Sequence, residues 1–245
     1  MRTFISKLKP RLQKWPGYGL VRFIYRLLRG VESRNTALLL LRPPKGLYQP
    51  YGTTSFDRYP ETFQYVRDQL ADRQPARILS FGCSTGEEVF SLRRYFPEAT
   101  IVGLDINPFN IGICRIRCLR TRDERIHFAV ANSTAGEADA SFDAIFAMAV
   151  FRHGDLNTPS PPIRCDHRIR FAGFEQSMAD LARVLKPSGL LVVQHAMFRF
   201  HDTRLASRFE TLLTTKLDGN GPIYGRNDCL LADVGYDDVV FRKIE

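Results

Sequence analysis

A short turn bounded by two glycines constrains this chain more than any other feature. The apolar run at residues 78–81 leads into G-C-S-T-G at residues 82–86, and Val89, Leu92 and Phe96 follow at helical spacing. This order predicts a buried strand, a tight turn and a helix whose first amides lack intrahelical partners. Because glycine lets a ligand approach the main chain closely, the turn suits a nucleotide-like molecule.

The composition indicates an ordinary globular protein of one main domain with a short extension. The chain has 245 residues, of which 44% are hydrophobic and 25% charged. Its five cysteines form no C-x-x-C pair, which predicts reduced thiols in a cytoplasmic protein and no zinc site. His153, Cys165 and His167 match no metal-ligand spacing, so we expect no metal.

The positive charge is concentrated at the N-terminus. Residues 1–34 carry nine Lys and Arg residues and one acid, Glu32, whereas the rest of the chain is nearly neutral. We interpret residues 1–45 as a basic helical extension made of two amphipathic pieces, broken at Pro16-Gly17, and residues 46–245 as the main domain. No apolar run reaches the ~18 residues of a membrane span, and charges interrupt every candidate signal peptide.

This extension has two interpretations. Residues 1–34 could contact an anionic membrane surface or an acidic partner, which would make the protein peripheral on the inner membrane surface. Alternatively, they form a helical cap whose charges are merely solvated. A nucleic-acid partner is less favoured, because the basic patch does not continue into the main domain.

Strands and helices alternate after the glycine turn. A second strand ends at Asp105, a third covers residues 126–130, a fourth residues 142–148 and a fifth residues 190–194, with helical patterns at 108–120 and 175–186. This order predicts an α/β fold with a doubly wound, mostly parallel sheet. A helix over 203–213 and a closing strand at 238–242 complete the expectation, while the sixth strand cannot be placed.

Two irregular stretches are candidates for the rest of a ligand site. Residues 46–59 precede the first strand and could fold over a ligand, which makes Tyr51, Thr53, Arg58 and Tyr59 candidates, although ordinary loop packing is the alternative. The proline-rich insertion at residues 157–171 overhangs the carboxyl edge of the sheet, where ligands bind in such folds, and would form part of an acceptor site.

Four sequence motifs, in this order along the chain, resemble those of the class I S-adenosylmethionine-dependent methyltransferases. They are the glycine turn, the second-strand acid Asp105, the S-F-D-A-I-F entry to the fourth strand, and L-A-R-V-L-K-P-S-G-L-L-V-V at residues 181–193. The form C-S-T-G-E-E is also similar to the turn of chemotaxis-receptor methyltransferases. The resemblance implies a Rossmann-like seven-stranded sheet, S-adenosylmethionine as cofactor, and methyl transfer to oxygen or nitrogen of an acceptor that the sequence does not name.

The resemblance also assigns residues to the cofactor. The turn would line its methionine part, Asp105 would hold the ribose hydroxyls, Asn132 and Ser133 would face the adenine edge, and residues 147–149 would lie beside the sulfonium. The full set is Gly82, Cys83, Ser84, Thr85, Gly86, Asp105, Ile106, Asn132, Ser133 and Ala147. The chain departs from the common family pattern at three positions, where it has Ser80, Ser84 and Asn132.

Catalytic groups are harder to assign, because a sulfonium donor is already activated and mainly needs alignment with its acceptor. His153 and His195 follow the fourth and fifth strands and could take a proton from a hydroxyl acceptor, although each could instead be a hydrogen-bonded structural residue. A non-catalytic binding protein and a nicotinamide-dependent oxidoreductase are the competing functions; the latter normally shows G-x-G-x-x-G.

Overall fold

The computed structural model describes residues 17–52, 54–216, 221–232 and 234–244. These residues form helices and strands whose bounds are as follows: α1 (Tyr18–Leu28), α2 (Val31–Leu41), α3 (Pro60–Gln69), α4 (Glu87–Tyr95), α5 (Pro108–Thr121), α6 (Phe171–Val184), β1 (Arg77–Phe81), β2 (Thr100–Asp105), β3 (Ile126–Val130), β4 (Phe142–Met148), β5 (Leu185–Gln194), β6 (Phe209–Thr214) and β7 (Asp238–Lys243). The chain divides into two compact units, Met1–Pro44 and Lys45–Glu245.

The second unit is built on a seven-stranded sheet with the strand order β3-β2-β1-β4-β5-β7-β6. The first five strands in this order are parallel, and β7 pairs antiparallel with both β5 and β6. The predicted doubly wound, mostly parallel seven-stranded sheet is therefore confirmed. The order reverses between β1 and β4, which places a ligand crevice outside the carboxyl ends of these strands.

Side chains alternate between two apolar layers along the central strands. On β4, Ile145 and Ala147 belong to the layer that packs on α6, whereas Ala144, Phe146 and Met148 belong to the layer under α3, α4 and α5. All seven residues of β4 are buried, as expected for a central strand covered by helices on both faces. The two layers hold the strand ends rigidly in place.

The C-terminal part differs from the sequence-based expectation. The helix expected over residues 203–213 is wrong: a 3₁₀ turn covers Ala206–Arg208, and residues Phe209–Thr214 form β6. The physical reason is pairing, since β6 lies against β7 from Phe209↔Lys243 to Thr214↔Asp238. Tertiary pairing along a sheet edge overrides a weak local helical pattern.

The entry to β5 also differs. The helix was expected to run to Lys186 and the strand to begin at Leu190, but α6 ends at Val184 and β5 begins at once. The pairing with β4 jumps from Phe142↔Leu185 to Ala144↔Leu190, so the K-P-S-G residues bulge out of the ladder. Ser188, with φ of +56°, provides the left-handed residue of this bulge.

The N-terminal unit is helical where it is described. Its predicted first amphipathic piece lies outside the described residues. The second begins at Tyr18, after the predicted break, but is divided in two at Gly30, whose φ is +129°. One side of α1 carries exposed apolar side chains: Leu20, Val21, Ile24, Tyr25 and Leu28. No helix in the described ranges is long and apolar enough to cross a membrane.

The buried carboxylate of Asp143 gives a test of this fold. It accepts hydrogen bonds from the Arg77 amide at 2.8 Å and from Lys186 Nζ at 2.8 Å, and so ties β1 and the β5 bulge to β4. We expect Asp143→Ala to lower the free energy of unfolding by about 2–3 kcal/mol, because a buried amide and an ammonium lose their acceptor. Urea denaturation measures this change.

The exposed pair Arg67–Asp68 supplies the control, since the Asp68 side chain is 58% exposed. Asp68→Ala should change the stability by no more than about 1 kcal/mol. Equal effects of the two substitutions would contradict the structural role assigned to Asp143.

Candidate cofactor and acceptor site

The glycine turn is fixed to β2 by its own backbone amides. The amides of Gly82 and Cys83 both donate to the Leu104 carbonyl, at 2.7 and 2.9 Å, and the Gly86 amide donates to the Cys83 carbonyl. The Ser84 amide donates to Asp105 Oδ2 at 2.8 Å. These four donors are therefore engaged within the protein rather than aimed at a ligand.

Two positions in this turn require glycine. Gly82 has φ of +76°, and a Cβ there would lie 2.5 Å from Cγ2 of Val150, which follows β4. Gly86 has φ of +96° at the start of α4. Ser84 also adopts a positive φ, +50°, without the freedom of glycine. Its Oγ is buried and has no hydrogen-bond partner among the described residues.

Asp105 lies at the end of β2 and is nearly buried, with 8% of its surface exposed. Besides the Ser84 amide, its carboxylate accepts from the Asn107 amide at 2.8 Å and from Asn110 Nδ2 at 3.2 Å. Burial raises the pKa of Asp105 although these three donors oppose the shift. A carboxylate has about four lone-pair sites, so it can still accept from a ligand hydroxyl.

An acid reaches the end of β1 from an unexpected direction. The sequence has Ser80 where the related family commonly has a carboxylate, and Ser80 Oγ donates to Glu88 Oε1 at 2.7 Å. Glu88 comes from the first turn of α4, and its removal from water raises its pKa to about 7. Two consecutive acids directly after the glycine turn were the signal in the sequence that could have revealed this carboxylate.

Arg117, on α5, is a second residue that sequence reasoning missed. Its guanidinium donates to the Thr85 carbonyl at 2.7 Å and forms an ion pair with Glu87. Thr85 Oγ1 in turn donates to Glu87 Oε2 at 2.6 Å. The middle of the turn is therefore held by α5 as well as by β2.

The residues expected at the adenine edge lie together beyond β2 and β3. Ile106 is half-buried next to Asp105, and Asn132 follows β3. Asn132 Nδ2 donates to the Lys45 carbonyl at 3.1 Å. Ser133 Oγ accepts only a long hydrogen bond, 3.4 Å, from the Ala135 amide. The structure therefore brings these three residues to one end of the carboxyl edge, as the resemblance implies for the cofactor.

The segment at residues 45–59 runs along this carboxyl edge and is called the strap below. It starts beside Asn132, and a Cβ at Gly52 would lie 3.1 Å from Ser84 Oγ. Tyr51 Oη donates to Asp155 Oδ1 at 2.8 Å, so the strap is also attached beyond β4. The strap covers the glycine turn, and Thr53 lies outside the described residues.

His153 is buried and packs edge-on against Tyr51, with the ring centroids 6.1 Å apart. Its Nδ1 accepts from the Asp155 amide at 3.1 Å, which caps the 3₁₀ turn Gly154–Leu156. Burial lowers the pKa of His153. This geometry corresponds to the structural alternative, and the catalytic assignment of His153 stays a prediction.

His195 directly follows β5 with φ of +56° and lies beside the strap. Its ring centroid is 5.6 Å from that of Tyr59, whose hydroxyl is buried without a hydrogen-bond partner in the described chain. Ala147, expected beside the sulfonium, is fully buried on β4 next to Val193 of β5. His195 and Tyr59 therefore lie at the β4–β5 side of the crevice, whereas the side chain of Ala147 is buried in the apolar layer that packs on α6.

The insertion expected over residues 157–171 packs on a segment of the C-terminal region. The Cys165 amide donates to the Asp228 carbonyl at 3.0 Å, and Tyr224 Oη donates to the Pro162 carbonyl at 3.1 Å. Phe171 belongs to α6 rather than to the insertion. Across the described ranges, no group of three or more His, Cys, Asp or Glu side chains is arranged to hold a metal ion.

Comparison with known proteins gives a family match over more than half of the chain. A family model described as a methyltransferase domain matches residues 73–219, which include β1 to β6. Demethylmenaquinone methyltransferase of Thermus thermophilus is 31% identical over 127 residues, covering 51% of this chain and 50% of that protein. Fatty-acid O-methyltransferase of Mycolicibacterium smegmatis is 27% identical over 165 residues, covering 64% and 50%.

The chain spans about half the length of these curated relatives. Among solved structures, it is similar to geranyl diphosphate C-methyltransferase of Streptomyces coelicolor in complex with Mg²⁺, geranyl diphosphate and S-adenosyl-L-homocysteine. The identity is 14%, the TM-score is 0.41, and the alignment covers 55% of this chain and 44% of that chain.

Glu88 predicts a pH dependence of stability. Its pKa in the folded protein, about 7, exceeds the ordinary value of 4.5, so the unfolded chain loses this proton first as the pH rises. The native protein should therefore lose stability between about pH 4.5 and 7 relative to Glu88→Gln, by about 2 kcal/mol. Urea denaturation at pH 5 and pH 8 measures the difference.

Glu61→Gln on the exposed side of α3 is the matched control and should follow the native protein at both pH values. If Glu88→Gln also follows the native protein, the carboxyl group of Glu88 is not removed from water.

Proposed function

The chain belongs to the methyltransferase domain family, and from this premise we propose that it transfers a methyl group from S-adenosylmethionine to an acceptor bound at the carboxyl ends of β4 and β5. The observation that carries the choice of cofactor is the hydrogen bonding of the glycine turn. Its amides at residues 82, 83, 84 and 86 are engaged within the protein, so they offer no cradle for a pyrophosphate. A sulfonium cofactor without phosphates fits such a turn.

The same turn disfavours a nicotinamide-dependent oxidoreductase. A dinucleotide needs free amides at its first βα turn, whereas here the amides of Gly82, Cys83 and Ser84 bind the Leu104 carbonyl and Asp105. The sheet supports this choice, because an antiparallel β7 lies between β5 and β6 in place of the all-parallel order typical of dinucleotide-binding folds.

Polar groups at the turn fit S-adenosylmethionine in charge and hydrogen bonding. Asp105 has acceptor capacity for ribose hydroxyls, and the unpartnered Ser84 Oγ lies close by. Glu88, held by Ser80, suits the α-ammonium group of the methionine part. Asn132 and Ile106 suit the adenine edge and face.

When bound, the cofactor supplies a methyl group that is already electrophilic, so alignment is the main requirement on the protein. The strap passes close to Ser84 Oγ, and Tyr59 with His195 borders the place of the acceptor. Glu88, with a pKa of about 7, can hold or release a proton at neutral pH.

Binding measurements test the cofactor assignment. In isothermal titrations, we expect S-adenosylmethionine and S-adenosylhomocysteine to bind and the nicotinamide nucleotides to give no heat. Asp105→Ala should weaken the binding of both sulfur compounds on the order of tenfold to a hundredfold, because a charged acceptor of a ribose hydroxyl is lost. Asp105→Asn should weaken it less, because one acceptor oxygen remains.

Asp72→Ala, an exposed substitution after α3, is the control and should leave the affinity unchanged. The absence of binding by either sulfur compound at millimolar concentration would refute the proposed cofactor. An unchanged affinity in Asp105→Ala would refute the ribose assignment alone.

For the N-terminal unit, the proposed role is attachment to an anionic membrane surface. The exposed apolar side chains of α1 include Leu20 at 65% and Leu28 at 82% exposure, and they accompany the nine basic residues of segment 1–34. An amphipathic helix of this kind binds through apolar insertion and attraction to anionic lipids.

Sedimentation with vesicles tests this role. We expect the full chain to sediment with phosphatidylglycerol-containing vesicles and to remain in solution with phosphatidylcholine alone. Removal of residues 1–34 or the pair Leu20→Ser/Leu28→Ser should reduce the bound fraction several-fold, since apolar insertion adds to the electrostatic attraction.

Leu119→Ser on α5, an equally exposed leucine of the second unit at 78%, should have no effect. Undiminished sedimentation of the truncated chain would contradict membrane attachment through this segment.

A further inference from the structure

A group of polar side chains beyond β4 and β5 is not used by the cofactor assignment. Arg152 follows β4, His195 follows β5, and Tyr59 and Arg58 come from the end of the strap. The Tyr59 ring joins the group, lying 5.6 Å from the His195 ring centroid and 5.2 Å from the guanidinium carbon of Arg58. Tyr59 and Arg152 also lie close enough for the charge of each to shift the pKa of the other.

Arg152 is the least usual member of this group. Its side chain is half-buried, yet no hydrogen bond or ion pair of its guanidinium is found within the described part of the chain. By contrast, the nearby Arg168 pairs with Asp155 at 3.4 Å. Burial and the neighbouring positive charge of Arg58 lower the pKa of Arg152. A half-buried guanidinium without an anion is unfavourable, and a bound anion would relieve it.

Tyr59 supplies a hydroxyl in the same surroundings. Its Oη is buried and unpartnered, although a buried hydroxyl normally has a hydrogen-bond partner. Burial raises the pKa of Tyr59 to about 12, so the hydroxyl stays protonated and can donate at neutral pH. An unpaired guanidinium and an unpaired hydroxyl therefore lie close enough to influence each other's pKa.

The charge balance limits which anion fits. Glu88 is close enough to raise the pKa of Tyr59, so a negative charge already lies on the cofactor side of the group. A dianionic phosphate would meet this repulsion with one unpaired guanidinium to offset it. A planar, singly charged carboxylate matches the fork of one guanidinium and still has a lone pair that can accept from the Tyr59 hydroxyl.

We propose that the methyl acceptor carries a carboxylate, which Arg152 binds with the Tyr59 hydroxyl as a second donor. This inference rests on the proposed function and specifies its acceptor class. Arg58 and His195 border the same place from the strap and from β5. Arg152 would thereby hold the acceptor at the ends of β4 and β5, where the resemblance places the sulfonium.

Titration of defined carboxylates into the full chain saturated with S-adenosylhomocysteine tests the proposal. The probes are benzoate and octanoate, each compared with its neutral amide, and inorganic phosphate. We expect at least one carboxylate to bind about tenfold tighter than its amide and tighter than phosphate. Arg152→Gln should weaken that carboxylate by about tenfold or more, and Arg152→Lys should restore part of the loss.

Tyr59→Phe separates recognition from folding. Loss of an unpaired buried hydroxyl should leave the unliganded protein as stable or more stable, whereas carboxylate binding should weaken about threefold to tenfold. If the Tyr59 hydroxyl had only a structural role, its removal would not weaken carboxylate binding while leaving stability unchanged or higher. Arg115→Gln, which removes an exposed guanidinium bonded to the Phe128 carbonyl, is the control and should leave both quantities unchanged.

The proposal is overturned if the amides bind as well as the acids, if phosphate binds tighter than every carboxylate, if no carboxylate binds at millimolar concentration, or if Arg152→Gln retains the native affinity. The affinity for S-adenosylhomocysteine is measured in the same samples. If S-adenosylhomocysteine binds normally and no carboxylate binds, only the proposed acceptor class is refuted. If S-adenosylhomocysteine itself does not bind, the proposed cofactor is refuted.

Discussion

The carboxylate of Asp105 is the constraint on which the candidate site depends. It ends β2 and accepts from the amide of Ser84, so the strand and the glycine turn are fixed by one side chain. Its other oxygen accepts from the Asn107 amide and from Asn110 Nδ2, which sets the start of α5. With these donors in place, Ser84 can hold its positive φ, and the carboxylate keeps capacity for about one further hydrogen bond.

A second consequence concerns the acid that the first strand lacks. Ser80 cannot provide charge, but it donates to Glu88 and fixes that carboxylate at the end of β1. This carboxylate is removed from water, which raises the pKa of Glu88 to about 7. The departure at Ser80 therefore moves the negative charge to α4 and changes its protonation behaviour, while the site keeps a carboxylate.

The sequence could predict elements with a regular local pattern of apolar residues, and positions where only one residue type fits. The run at 142–148 is apolar throughout and is β4, and Gly82 is required because Val150 leaves no room for a Cβ. By contrast, β6 depends on pairing with β7, about 30 residues further along the chain, and its own sequence looked helical. Arg152 carried no pattern at all, because its importance lies in the partners that it lacks in three dimensions.

The carboxyl edge of the sheet is thus divided by charge, and this division bears on how a methyltransferase can choose its acceptor. Asp105 and Glu88 place negative charge on the β1–β2 side, which favours a cationic sulfonium donor. Arg152 places positive charge on the β4 side, which favours an anionic acceptor. The electric field between these charges would orient a cationic donor and an anionic acceptor toward each other. Alignment of this kind does not require a dedicated base. Selection by charge at the two ends of one edge then provides both binding and alignment.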